Sequence, residues 1–218
     1  MNKMIIIILS FVLLLALNVA PVMAAMTTDT QLIANANVGA PTLSKAFTDA
    51  MKVDRYYIRY TFISDVDGTR SEGITGANGK NGAFEMISSK MDVRTKMLVK
   101  NDKAYSIDHN TKTYSVIPSK KNPHATPMYA ELRFIGSGTD NIDGKMLPYE
   151  EYALSDRTMR FYVEGIRLFA IESKINVVIG NNKSVKTSIM LIHEFSTRIP
   201  KGFLDIPQGY RQIDLETW

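Results

Sequence analysis

Tyr56-Tyr57-Ile58-Arg59-Tyr60-Thr61-Phe62-Ile63 is a run in which every residue but Arg59 is aromatic or β-branched. Such side chains fit a pleated surface and crowd a helix, so residues 56–63 predict a β-strand. Upstream the period is different. Leu43, Phe47 and Met51 recur at i, i+4, i+8 with Ala46 and Ala50 beside them. That spacing predicts a short helix over 43–52, capped by Thr42, with one narrow apolar stripe lying on another element. Val53-Asp54 ends it.

Downstream the strand pattern repeats. Asp65-Val66-Asp67-Gly68 is a turn, 69–77 a weaker strand, and Asn78-Gly79-Lys80-Asn81-Gly82 a second turn. Strands follow at 83–88 and 92–100. In the latter, Val93, Met97 and Val99 alternate with Arg94, Lys96, Leu98 and Lys100, apolar on one side and basic on the other. This is the pattern of a half-buried strand whose apolar side faces the core. Asn101-Asp102-Lys103 and His109-Asn110-Thr111-Lys112 turn the chain through strands at 104–108 and 113–117.

Residues 118–127 are irregular, with Pro118, Pro123 and Pro127, and 128–134 read as a helical turn. The Gly-Ser-Gly segment at 136–138 leads into a second run of hairpins at 145–154, 158–164, 167–174, 176–180 and 186–195. Asp143-Gly144, Ser155-Asp156, Gly165 and Gly180-Asn181-Asn182 mark their turns. About ten short strands with no crossover helices predict a mainly β fold, a single antiparallel sheet that is strongly curved or closed.

The N-terminus carries a different signal. Lys3 precedes an apolar run from Met4 to Leu17, then Asn18 and Pro21, then Val22-Met23-Ala24-Ala25. A positive start, an apolar centre and small residues at the end predict a secretory signal over 1–25, cleaved after Ala24 or Ala25. Asn18 and Pro21 interrupt the run short of the length a spanning helix needs. Residues 26–41 are small and polar and read as a flexible leader. A single domain is expected over 42–218, which is long enough to hold a core of its own. With no cysteine, disulfides, thiolate metal sites and lipid attachment through a cysteine are excluded.

The formal charge is +4 with acids and bases interspersed, and Lys120-Lys121 is the one basic doublet. No concentrated basic stripe is present, so a nucleic-acid partner is not expected. A mildly basic surface is compatible with contact at an anionic membrane surface. Catalytic signatures are also missing: there is no Gly-x-Ser-x-Gly, no phosphate-cradling Gly-x-x-x-x-Gly-Lys and no His-Glu-x-x-His. Asp108-His109, His193-Glu194 and Glu150-Glu151 are neighbours along strands or strand ends, where adjacent side chains diverge. A metal would need His109 and His193 to converge with an acid such as Asp108 or Glu172, which nothing in the spacing requires. The chain is therefore expected to be non-enzymatic, without catalytic residues, metal or cofactor.

Adaptable apolar surface is what the chain has in quantity, with 12 Met, 10 Tyr and 9 Phe. Tyr60, Phe62, Phe84, Met86, Met97, Val99, Phe161, Val163, Ile189 and Leu191 are placed by alternation as candidates for one side of a curved sheet. They would form either a filled core or a ligand cavity.

The order of these features resembles a known group. A short amphipathic helix, the aromatic strand at 56–63, strands rich in Met and basic residues, and the Asn101–Asp108 hairpin are similar to the LolA/LolB-like superfamily of periplasmic lipoprotein carriers. Asp102 stands where that hairpin usually has glycine. Asp143-Gly144-Lys145, Tyr149–Leu154, the hairpin at 161–165 and the ending Ile199–Tyr210 are similar as well. The resemblance implies an unclosed half-barrel of about eleven strands with short covering helices. It further implies an extracytoplasmic protein, in the periplasm or cell envelope, that shelters a lipid or acylated ligand. The alternative is an envelope interaction or sensor domain with a packed core that docks a protein partner.

Overall fold

The aromatic strand stands in the middle of the sheet. The computed structural model describes residues 42–64, 68, 70–88, 92–117, 129–155, 157–179 and 182–214. The expected signal and leader (1–41) and the proline-rich stretch from 118 to 127 lie outside them. So do the Asp65–Asp67 acids, His124 and the Gly180-Asn181 turn. The described residues fall within one unit, 38–218.

Among the described residues, one helix, α1 (Lys45–Lys52), precedes twelve strands: β1 (Arg55–Ser64), β2 (Arg70–Asn78), β3 (Asn81–Ser88), β4 (Val93–Lys100), β5 (Lys103–Asp108), β6 (Thr113–Ile117), β7 (Arg133–Ile142), β8 (Lys145–Leu154), β9 (Arg157–Glu164), β10 (Arg167–Ile179), β11 (Asn182–Ser196) and β12 (Arg211–Gln212). They form a single unclosed sheet in the order β12-β6-β5-β4-β3-β2-β1-β11-β10-β9-β8-β7. Two meanders of consecutive hairpins meet where β1 pairs antiparallel with β11. Every pairing is antiparallel except that of β12, which runs parallel to β6.

The mainly β, unclosed antiparallel sheet agrees with expectation, and several local readings change. The Gly136–Gly138 segment is not a lead-in but the middle of edge strand β7. The two strands read at 167–174 and 176–180 are one continuous strand, β10. Residues 129–131 turn, but Phe134 is already in β7 rather than in a helical turn. One helix, not several, covers the sheet among the described residues.

Curvature follows from a single contact. Arg70 at the start of β2 pairs with Asp143 in the β7–β8 turn at 3.2 Å. Between β2 and β8 in the sheet lie β1, β11, β10 and β9. Five inter-strand steps in a flat sheet would separate them by roughly 24 Å. The sheet must therefore curl strongly for these ends to meet, as the right-handed strand twist favours.

The helix begins two residues later than expected, leaving Leu43 outside it and exposed. Its buried residues are Thr48, Ala50 and Met51, and Phe47 packs edge-on against Phe195 at 4.9 Å. Met51 joins the central core with Tyr56, Ile58, Tyr60, Tyr152, Met159, Phe161 and Ile192. The chain entering α1 is seized by one buried carboxylate. Glu150 of β8 accepts the backbone N–H groups of Thr42 (2.6 Å), Leu43 (2.9 Å) and Ser44 (2.9 Å). The Ser44 hydroxyl donates to it as well, at 2.6 Å. Burial pushes the Glu150 pKa up, but the Ser44 and backbone donors outweigh this and hold the carboxyl below its ordinary value.

At the other end of the helix, Asp54 is buried with a positive φ of 47°. A left-handed residue after a helix C-terminus is commonly Gly or Asn. Asp places a charge at the negative end of the helix dipole. Burial raises its pKa to about 6.

Two stability measurements follow. Glu150→Gln should lower unfolding free energy by about 1–3 kcal/mol, because it weakens charge-assisted bonds to buried donors. The depressed pKa of Glu150 means its contribution is present above the ordinary carboxylate range and disappears as pH falls below it. Asp54→Asn should do the reverse. Its raised pKa makes the acid a cost at pH 8 that vanishes once pH falls below about 4, so the Asn variant should gain about 1–3 kcal/mol at pH 8 and nothing at low pH. Denaturant midpoints at both pH values check each outcome.

Candidate functional site

Register decides which side chains share a face. Cross-strand partners point to the same side of a sheet. Tyr60 lies opposite Ile192 and Gly73, Phe62 opposite Met190 and Ser71. Phe84 faces Met97, Met86 faces Thr95, and Val99 faces Gly82 and Ala104. Phe161 pairs with Ile171 and Glu150, and Val163 with Leu168. Eight of the ten candidates thus share the face that carries α1. Ile189 and Leu191 do not. They pair with Ile63 and Thr61 and pack in a separate cluster with Ile142, Leu147, Tyr162 and Ala170 on the opposite face. The bulge at Arg59/Tyr60 leaves His193 without a partner in β1. Beyond it, Met190 and Ile192 face α1, and the alternation assumed for β11 is out of phase.

The eight divide further. Tyr60, Phe161 and Val163 are buried, and the first two belong to the filled core beneath α1. The Tyr60 ring lies so close over Gly73 that a Cβ there would be 2.5 Å from it. Phe62, Phe84, Met86, Met97 and Val99 are only half-buried. Phe84, Met86, Met97 and Val99 are contiguous across β3 and β4, bordered on β5 and β6 by the smaller Ala104, Ser106 and Ser115.

The reverse side of the same strands is sealed. Leu98 and Ile107 are fully buried and cluster with Ala83 beneath Phe203, Leu204, Ile206 and Tyr210 of the C-terminal segment. This segment crosses the face as a strap. Phe203 packs edge-on against Tyr57 at 5.2 Å and lies where a Cβ on Gly76 would come within 3.1 Å of it. Lys96 donates to the carbonyl oxygens of Phe203 and, at 3.3 Å, Asp205, and its ammonium sits 4.8 Å from the Phe203 ring centroid. Burial lowers the Lys96 pKa, opposed by Glu85 and Asp205. Lys100 pairs with Asp205. Arg211 N–H and Ile213 N–H donate to the carbonyls of Lys112 (3.1 Å) and Tyr114 (2.8 Å). The side of β4 read as basic therefore holds the strand's two buried residues, Lys96 and Leu98, while Arg94 at its start is exposed and Met97 on the other side is half-buried. Sequence reasoning missed the strap; the clue available was Leu98, a large aliphatic among three bases.

The polar candidates separate as well. His193 Nε2 lies 2.7 Å from Thr61 Oγ1, which donates to Glu72 at 2.8 Å, a link across β11, β1 and β2. His109 instead lies at the β5–β6 turn beside Tyr210 and Glu85. Glu150 and Glu151 diverge, Glu150 to α1 and Glu151 to Arg160 at 3.4 Å. Among the described residues no three His, Asp or Glu side chains are placed to hold a metal ion.

No protein-family model matches the chain, and no curated protein does. Among solved structures it is similar to an uncharacterized conserved protein from Thermus thermophilus, with a TM-score of 0.43 and 11% identity over 78% of this chain and 96% of that one.

The contrast between the two faces of β4 is measurable. Leu98→Ala should cost about 2–5 kcal/mol, as for a fully buried aliphatic whose site cannot collapse. Its neighbour Met97→Ala should cost under about 1.5 kcal/mol, since its side chain is only partly buried. Equal losses in denaturant unfolding would mean that the two faces are equally covered.

Proposed function

We propose that this chain is an exported, non-enzymatic binding protein of the cell envelope that shelters the apolar part of a lipid or acylated ligand. The observation that carries the reading is the half-buried patch of Phe84, Met86, Met97 and Val99 on strands whose reverse side is sealed. A rigid, backed sheet offering Met and Phe side chains can repack around an irregular apolar chain. Each methylene taken out of water contributes about 0.8 kcal/mol, so an acyl chain needs no charged anchor to bind usefully. Phe62 continues the surface toward the core. Export rests on the Lys3-to-Ala25 pattern, and the carrier role on the resemblance to the LolA/LolB-like group. No helix among the described residues is long and apolar enough to cross a membrane.

A second reading has its own support. Tyr60 and Phe161 are already enclosed by the core, so the patch is shallower than ten converging residues would have made it. A shallow Met-rich surface also suits an apolar segment of an envelope protein.

Mass spectrometry of an organic extract of the purified protein separates the two. A carrier releases a stoichiometric lipid, and Met97→Asp abolishes loading while near-native unfolding is retained. A lipid-free protein that excludes apolar dyes sinks the carrier reading and leaves the protein-docking one.

A further inference from the structure

We propose that residues 203–213 form an acid-released strap whose latch is His109. The imidazole sits under the strap. Its Nδ1 is 2.8 Å from the Tyr210 hydroxyl, and the two rings meet edge-on with centroids 5.6 Å apart. Its backbone N–H donates to the Arg94 carbonyl at 3.0 Å, which holds the main chain at the strand end. Nε2 is buried, makes no hydrogen bond, and points toward Glu85 at 3.8 Å.

The charged groups around this ring are Glu85 from β3, Arg94 and Lys96 from β4, and Asp108 from its own strand; Tyr210 faces it from the strap. Glu85 is already bonded by Arg94 Nε at 2.6 Å. Asp108 accepts the backbone N–H groups of Asn110 (2.8 Å) and Thr111 (3.3 Å). A proton on His109 would therefore add a third cation, after Arg94 and Lys96, beside one buried carboxylate. The docked strap excludes the water that would otherwise solvate it.

The linkage has a definite sign. Burial holds the His109 pKa below its ordinary value, with Glu85 opposing. When the strap lifts, the ring meets water and regains a pKa of about 6.5. Between the lowered value and about 6.5 the open state binds more protons than the docked state. Docking is then fully favoured above about pH 6.5 and weakens as pH falls through that window, by at most about tenfold per pH unit for one proton. Lifting removes β12 from the edge of β6 and uncovers Leu98 and Ile107. An unpaired strand edge and an apolar surface become available together.

Amide hydrogen exchange of the purified protein from about pH 7.5 to about pH 5, corrected for intrinsic rates, tests this. The Arg211 and Ile213 amides, bonded to Lys112 and Tyr114, should open progressively more as pH falls below about 6.5, by at most about tenfold per pH unit. Sheet amides such as those of Ile171 and Leu191 should stay protected, and His109→Gln should flatten the slope. An unchanged slope in that variant, or simultaneous loss of protection across the whole sheet, overturns the proposal. Should His109→Gln fail to fold, the ring titration of wild-type His109 by NMR decides: a midpoint below about 6.5 supports the latch, and one at or above it overturns it.

Discussion

The antiparallel pairing of β1 with β11 is the contact on which the rest of the molecule depends. Each meander, β1–β6 and β7–β11, is built from local hairpins, and only this ladder joins them into one sheet. It also fixes phase. The bulge at Arg59/Tyr60 sets Met190 and Ile192 on the side of α1, and turns Ile189 and Leu191 to the other. Because side chains alternate with a period of two, a single extra residue reassigns every position beyond it. The core beneath α1, and the separate cluster around Tyr162 and Leu191, depend on that irregularity and on a second one at Leu168/Ala170 between β9 and β10.

A curled sheet has two faces, and this one treats them differently along its length. Under α1 the cover is anchored by the Glu150 carboxylate, which gathers four donors into one buried site. On the reverse of β3–β6 the cover is the C-terminal strap, anchored by Lys96, by His109 and by the β12–β6 pairing. Both anchors are charged or titratable groups held out of water by long-range partners. Such groups cost more when one partner is removed than an apolar contact of the same size. Between these two covers the Phe and Met surface of β3 and β4 stays only half-buried.

Strands and turns were legible because their causes are local. The aromatic run at 56–63 and the Asp143-Gly144 turn each reflect φ/ψ and side-chain preferences within a few residues. The candidate site was legible in part. Alternation along β1, β3, β4 and β9 sorted eight residues to the right face, since no bulge interrupts those assignments. It failed for Ile189 and Leu191, because the extra residue, His193, lies in β11 itself. It failed again on β4 for Lys96, which hydropathy marked as wet, although Arg94 beside it is indeed exposed. Lys96 is buried because backbone carbonyls at Phe203 and Asp205, more than a hundred residues later, satisfy its ammonium.

By itself the sequence determined the class of the fold, its meander connectivity and its lack of cysteine chemistry, all set by residue type or by neighbours along the chain. The tertiary structure alone decided that the sheet curls far enough for Arg70 to meet Asp143. It alone showed that Glu150 organises the entry to α1, and which face of β4 lies under the strap. These depend on contacts between residues tens to more than a hundred positions apart. Their partners are chosen by cumulative strand twist and register, and no local propensity records either quantity.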